Sequence, residues 1–251
     1  MIMRQYWIAA LALCILPAGC ETSGDGDLGV VLGDVLGSLP GGEPVGQDSL
    51  SQFEIDAALR QALEIGTDRV VRQIGVTDGF WADDRIRIPL PGRLGKIQRQ
   101  LSGTPLARPL DDLQLRMNRA AEQAVPAGKQ IVVQAIQGIT ISDAMSLLRG
   151  GDSAATDFLR TRTEASLRDL FTPYVDTALT NSGAYRSLEQ VTSGNPLLLM
   201  VAGDLKSDLT THAVQLGLDG VFTYLASEEK KIRDNPVARS TELLRKVFGA
   251  R

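Results

Sequence analysis

From residue 51 onward, apolar side chains return every three or four positions, and no two segments alternate in the way that paired strands require. The chain is therefore expected to be all-α. Ser51-Gln52-Phe53-Glu54 has the form of a capping box, and Ile55, Leu59, Ala62, Leu63, Val70 and Ile74 follow at helical spacing until Gly75. Arg85 to Pro91 alternates, but Pro89 and Pro91 forbid a central strand, so this segment is expected to be an extended arm laid on the helices. Leu94, Ile97 and Leu101 predict a short helix. Pro109, with Asp111 and Asp112, opens another, expected to reach Ala124 and stop before Pro126, with helical spacing continuing from Ile131 to Ile136.

Thr140 and Asp143 can cap a further short helix that ends at Gly150-Gly151. Asp152 is the expected cap of the next, which runs from Ser153 towards Asn181 with a kink at Pro173. Shorter pieces around Leu188 and Leu198, a long helix from about Asp204 to Arg233 and a last one from Pro236 to Phe248 complete a domain of about eight to ten helices.

Ahead of this domain the pattern changes. Arg4 precedes an apolar run from Tyr6 to Leu16 and then Pro17-Ala18-Gly19-Cys20, the layout of a bacterial secretory signal. The run is too short to span a bilayer, which takes about 20 residues. Ala18-Gly19 before Cys20 resembles a lipoprotein box, although Pro17 stands where an aliphatic residue is usual. The expectation is a signal peptide over residues 1–19, lipidation at Cys20, a Gly-rich flexible tether over residues 20–47 and a helical domain over residues 48–251. Glu21, where inner-membrane lipoproteins typically carry Asp, points to the outer membrane, facing the periplasm. Gly24 to Gly29 spells a dinucleotide fingerprint but has no preceding strand, and the Leu-Gly pairs beginning at Leu28 are read as a spacer.

Composition narrows the chemistry. Both cysteines, Cys14 and Cys20, precede the domain, and His212 is its one imidazole, so no disulfide, Cys-ligated zinc or cysteine nucleophile is expected, and no metal or other cofactor. A net charge of -4 without a basic block makes nucleic acid a poor partner. There is no Gly-x-Ser-x-Gly elbow, and His212 flanks the apolar stripe of Leu205, Leu209 and Leu216, the place of a hydrogen-bonded structural imidazole.

Several motifs occur together: Arg87-Ile88-Pro89-Leu90-Pro91, Asn118-Arg119-Ala120-Ala121-Glu122, Gly150-Gly151-Asp152-Ser153-Ala154-Ala155-Thr156, and Glu228-Glu229-Lys230-Lys231-Ile232-Arg233 followed by Asn235-Pro236-Val237-Ala238-Arg239. In this order, over about residues 48–249, they resemble the bacterial domain of unknown function 4197. The resemblance implies an exported helical protein, often a lipoprotein, and carries no activity with it.

The candidates for a polar network or ligand site are Arg87, Asn118, Arg119, Glu122, Asp152, Arg160, Arg162, Glu228, Glu229, Arg233 and Arg239. Asn118, Arg119 and Glu122 flank Leu115, which points away from the stripe of Leu110, Leu113, Met117 and Ala124, so they face either an interior network or solvent. Glu228 shares a stripe with Val221, Tyr224, Leu225 and Ile232; it is expected to be at least half buried and paired with Arg162, or with Arg160 in its place. The leading functional expectation is a lipid-anchored envelope module that binds a protein partner or small apolar ligand. The alternative is a carboxylate-based hydrolase using some of Glu122, Asp152, Glu228 and Glu229.

Overall fold

A capping box starts the first helix: Ser51 Oγ accepts the Glu54 N–H at 3.1 Å, and Glu54 Oε2 accepts the Ser51 N–H at 2.9 Å. The computed structural model describes residues 51–193, 202–235 and 239–249. Among them the chain is all helix and loop, with no strand. The elements are α1 (Gln52–Ile74), α2 (Gly92–Leu101), a 3-10 turn (Pro105–Ala107), α3 (Arg108–Gln137), α4 (Ile141–Arg149), α5 (Ala154–Ser182), α6 (Ala184–Ser193), α7 (Ala202–Asp234) and α8 (Glu242–Gly249). The signal, Cys20, the tether and the piece around Leu198 lie outside the described residues.

Thr140 and Asp143 form the second capping box, at the start of α4. α5 stops at Gly183, whose φ of 80° is left-handed, a conformation that costs glycine nothing.

The long helices α1, α3, α5 and α7 pack in a ring, each antiparallel to the next, as in an up-down-up-down bundle. Asp68 meets Lys129 at 2.7 Å, whereas Arg60, earlier on α1, meets the carbonyl of Gln137, later on α3. On the α5–α7 side Thr156 meets Glu229, and Tyr185, just beyond α5, meets Thr210 early on α7. Small residues set the approach. Leu167 and Phe171 of α5 lie over Gly128 of α3, and the fully buried ring of Phe80 lies over Gly220 of α7.

The expected stop before Pro126 does not occur, since α3 runs straight through it. Proline removes one backbone hydrogen bond and crowds the preceding turn, a cost of about 3 kcal/mol. Pro126 stands on the exposed face, while Ala124, Val125, Gly128 and Val132 bury the opposite face on both sides of it and hold the helix together across the missing bond. α5 likewise continues through the exposed Pro173. No single described helix is long and apolar enough to cross a membrane.

Two glycines make opposite tests of this packing. A Cβ at Gly220 would stand 2.7 Å from the Phe80 ring, which has no room to move, whereas at Gly66 the nearest atom, the Glu228 Cβ, is 3.7 Å away. Overpacking costs about 1–3 kcal/mol and helix propensity returns up to about 1. Gly220→Ala should therefore lower the thermal midpoint and Gly66→Ala should raise it.

Glu54 also receives Lys246 of α8 at 2.6 Å, and this bond, followed by those from Ser51, holds its carboxyl from the usual 4.5 down to about 2. A lowered folded value means that the contribution is complete above the unfolded pKa and lost as pH falls through about 2. Amide protection in α8 of the wild type, taken relative to the intrinsic exchange rate at each pH, should thus decline between pH ~4.5 and ~2, and less steeply in Lys246→Ala. In Lys246→Ala the exchange should be faster at neutral pH.

Candidate functional site

Near the C-terminal end of α7, Glu229 and Arg233 lie one turn apart with side chains only 6% and 4% exposed. Glu229 accepts the backbone N–H groups of Ala155 and Thr156 at 3.0 and 2.8 Å, together with the Thr156 hydroxyl. Arg233 donates to Glu229 at 2.7 Å and to the carbonyls of Leu147 and Leu148 at 2.8 and 3.2 Å. The acid therefore sits on the positive first turn of α5 and the guanidinium on the negative last turn of α4.

This corrects the expected role of Asp152. Ser153 is the N-cap of α5 and has no side-chain capping bond, the donors of the first turn are taken by Glu229, and Asp152 is exposed and pairs with Lys230 at 2.6 Å.

At the other end of the bundle a second buried group serves the loop after α1. Glu122, 2% exposed, accepts the N–H groups of Phe80 and Trp81 at 3.1 and 3.0 Å and the guanidinium of Arg119 at 2.8 Å. Arg119 reaches on to Asp78, whose φ of 70° marks the tight turn. Asn118 is fully buried. Its amide accepts the N–H of Ile88 at 2.8 Å and donates to the carbonyl of the same residue at 2.9 Å. It thereby treats the arm as a neighbouring strand would. Ile86, Ile88 and Leu90 point inward from this arm, and His212 Nε2 bonds the Pro89 carbonyl at 2.9 Å, a structural placement for the imidazole. Of the two placements left open for Asn118, Arg119 and Glu122, the interior one is found.

Nearby, Tyr224 and Arg85 both bond Asp83, whose carboxyl is held well below the usual range, chiefly by the Arg85 guanidinium. Nothing in the spacing of Asp83 and Arg85 had singled them out.

Glu228 is buried at 3% exposure, as expected, but its partners are Lys231 at 2.6 Å and Arg69 of α1 at 3.4 Å. Neither Arg162 nor Arg160 reaches it. Glu228 faces α1 beside Gly66, while both arginines belong to α5, the helix that the adjacent Glu229 faces. Arg162 lies over the Phe158 ring at 4.8 Å, and Arg160 pairs with Asp219. Arg87 binds the Trp81 carbonyl and Asp84. Arg239 donates to the carbonyls of Ile232 and Arg233 at the end of α7. Arg60 and Arg116, which the sequence reading missed, close α3 and α5 in the same way, through the carbonyls of Gln137 and Ser182.

The enclosed spaces are small. A cavity lined by Leu59, Leu63, Leu159, Glu229 and Phe248 has about 20 Å³, room for one water. A second of about 20 Å³ lies between Val70, Val125 and Phe171. The open recess between α5 and α7 is larger, about 370 Å³, lined by Ser153, Asp157 and Arg160 from one helix and Asp219, Phe222 and Thr223 from the other. Among the described residues no group of three or more His, Cys, Asp or Glu could hold a metal ion.

Fold and buried charges together define an antiparallel helical bundle whose interior ions close helix ends and loops. The chain belongs to the family described as protein of unknown function (DUF4197), whose family model matches residues 49–249. No curated protein and no solved structure matches the chain.

Glu229→Ala leaves Arg233 buried and uncompensated and should cost about 3–5 kcal/mol in chemical denaturation. Asp152→Asn should leave the midpoint unchanged within error. Equal losses from the two would return the capping role to Asp152.

Proposed function

We propose that this is a lipid-anchored protein of the bacterial envelope, non-catalytic, that presents the α5–α7 recess to a protein partner. The observation that supports this reading is the employment of the buried ions. Glu122, Glu228, Glu229 and Arg233 are all engaged with one another, with neighbouring cations or with backbone groups. The described cavities, at about 20 Å³, are far below the few hundred cubic ångströms that a small apolar ligand fills, which favours the protein partner over such a ligand. On this reading Cys20 carries the lipid and the Gly-rich residues 21–47 link it to the domain. Glu21 favours the outer membrane as its destination.

A carboxylate-based hydrolase remains the second reading on one observation, that Asp157 and Asp219 line the same recess. Asp219 is committed to Arg160 and Gln215 and Asp157 accepts the Ser153 hydroxyl, so neither acid stands free where hydrolysis of this kind needs a pair.

Two measurements test the proposal. Cys20→Ser should move the protein from the membrane to the soluble fraction; retention in the membrane would sink the anchor. A photocrosslinking residue at position 223, in the recess, should give a defined adduct in intact cells that Arg160→Gln abolishes, while the same residue at the exposed Thr172 position should give none. Identical products from both positions would dismiss the recess.

A further inference from the structure

We infer that the face formed by α2 and the 3-10 turn is a contact surface for anionic phospholipid headgroups, with Leu106 entering the bilayer among them. Arg85, Arg87, Arg93, Lys96, Arg99 and Arg108 lie between Asp84 and Asp111 with no acid among them, spread too thinly to read as a basic block. Elsewhere many surface cations are answered by acids, as in the pairs Lys129–Asp68, Lys206–Glu189 and Lys246–Glu54. Arg85 and Arg87 are answered too, by Asp83 and Asp84. Lys96, Arg99 and Arg108 are exposed and make no ion pair among the described residues.

The fold gathers them. α2 packs Leu94, Ile97 and Leu101 on the bundle, and at about 100° per residue Lys96 and Arg99 fall on the side away from it. Gln98 ties the helix to α3 through Asp111 at 2.9 Å and Gln114 at 2.7 Å. A neutral amide leaves Asp111 its charge, so three cations stand against one anion.

Beyond α2 the chain protrudes. Every residue from Ser102 to Leu106 is exposed, and an added Cβ at Gly103 would meet nothing within 4 Å. Leu106 is 69% exposed, two residues before Arg108.

Charge and shape select the occupant. A single leucine on a surface is ordinary. One raised among unpaired cations has the composition of an interfacial contact, in which headgroup phosphates take the cations and the acyl boundary takes the aliphatic tip. A nucleic acid would find no aromatic side chain from Gly92 to Arg108 to stack on, and would set Leu106 against phosphate. An acidic protein would have to supply a socket for a projecting turn, whereas a fluid surface needs none. Contacts of this size are reversible, so the patch sets how an anchored domain lies and does not itself retain it.

The test is co-sedimentation of residues 20–251 carrying Cys20→Ser, which hold the whole described core and no thiol, with vesicles. The vesicles are phosphatidylcholine alone, or equal parts phosphatidylcholine and phosphatidylglycerol. Binding should be saturable, require phosphatidylglycerol and fall as salt rises. Each charge removed should weaken it about fivefold, and Lys96→Gln with Arg99→Gln about 25-fold. Arg72→Gln with Arg245→Gln, exposed cations of α1 and α8 that change the net charge equally, should weaken it by no more than about twofold. Asp111→Asn should strengthen it about fivefold, a gain that loss of folding cannot imitate. A polarity-sensitive label on Leu106→Cys should shift to the blue on the anionic vesicles; the same label on Phe53→Cys, exposed at the other end of the bundle, should not. Equal binding to both vesicles, equal losses from the two double variants, or no response at position 106 would overturn the inference. So would binding of poly-glutamate as tight as that of the vesicles at matched charge, which marks a surface for acidic protein. Fractionation after Cys20→Ser reports on the anchor alone, so either reading can fall without the other.

Discussion

Each helix end leaves about four backbone groups without partners, and among the eight α-helices of the described residues several of those ends are buried where water cannot serve them. Glu229 and Arg233 meet this constraint at its most demanding point, the junction of α4, α5 and α7. Two charges one turn apart on one helix face two helix ends of opposite polarity, so the pair is neutral as a unit and satisfied on both sides. Burial of either charge alone would cost several kcal/mol. Here the backbone of two other helices shares the load.

The same physics recurs wherever the chain turns inward. Glu122 gathers the N–H groups of the loop after α1, Asn118 supplies both halves of the pairing that an isolated extended arm lacks, and Arg60, Arg116 and Arg239 finish the carbonyl ends of α3, α5 and α7. Several residues that look chemically interesting in a linear reading are thus accounted for by connectivity. That sorting separates Arg160, which pairs with Asp219 and lies over the Phe222 ring, from the arginines that close helix ends.

Much of the fold was legible because it depends on local chemistry. Capping boxes at Ser51 and Thr140, the stop at Gly75, the arm ending at Pro91 and the burial of Glu228 all follow from spacing within one element. What spacing cannot supply is which neighbour a face meets. The apolar stripe predicted that Glu228 is inside but not that α1, rather than α5, lies opposite it. Asp152 was the nearest candidate to cap α5, whereas the acid that serves it stands 74 residues away from Ala155. Pro126 was read as a terminator because the local cost was visible and the packing on both sides of it was not. Within the recess Arg160 was flagged but Asp157 and Asp219 were not, and only the pairing of α5 with α7 gives the three a common address.

The distance in sequence between Glu229 and the helix ends it closes also sets an order of assembly. α4 and α5 are neighbours along the chain and can form early as local turns, yet their junction stays open until α7, the last long helix, arrives. Contacts that close long loops are the slow ones. A chain emerging from its N-terminal end can already close the C-terminal ends of α3 and α5 through Arg60 and Arg116, but the α4–α5 junction waits on residues near the C-terminus. The pair that completes this junction is thereby also the last part of it to be synthesised.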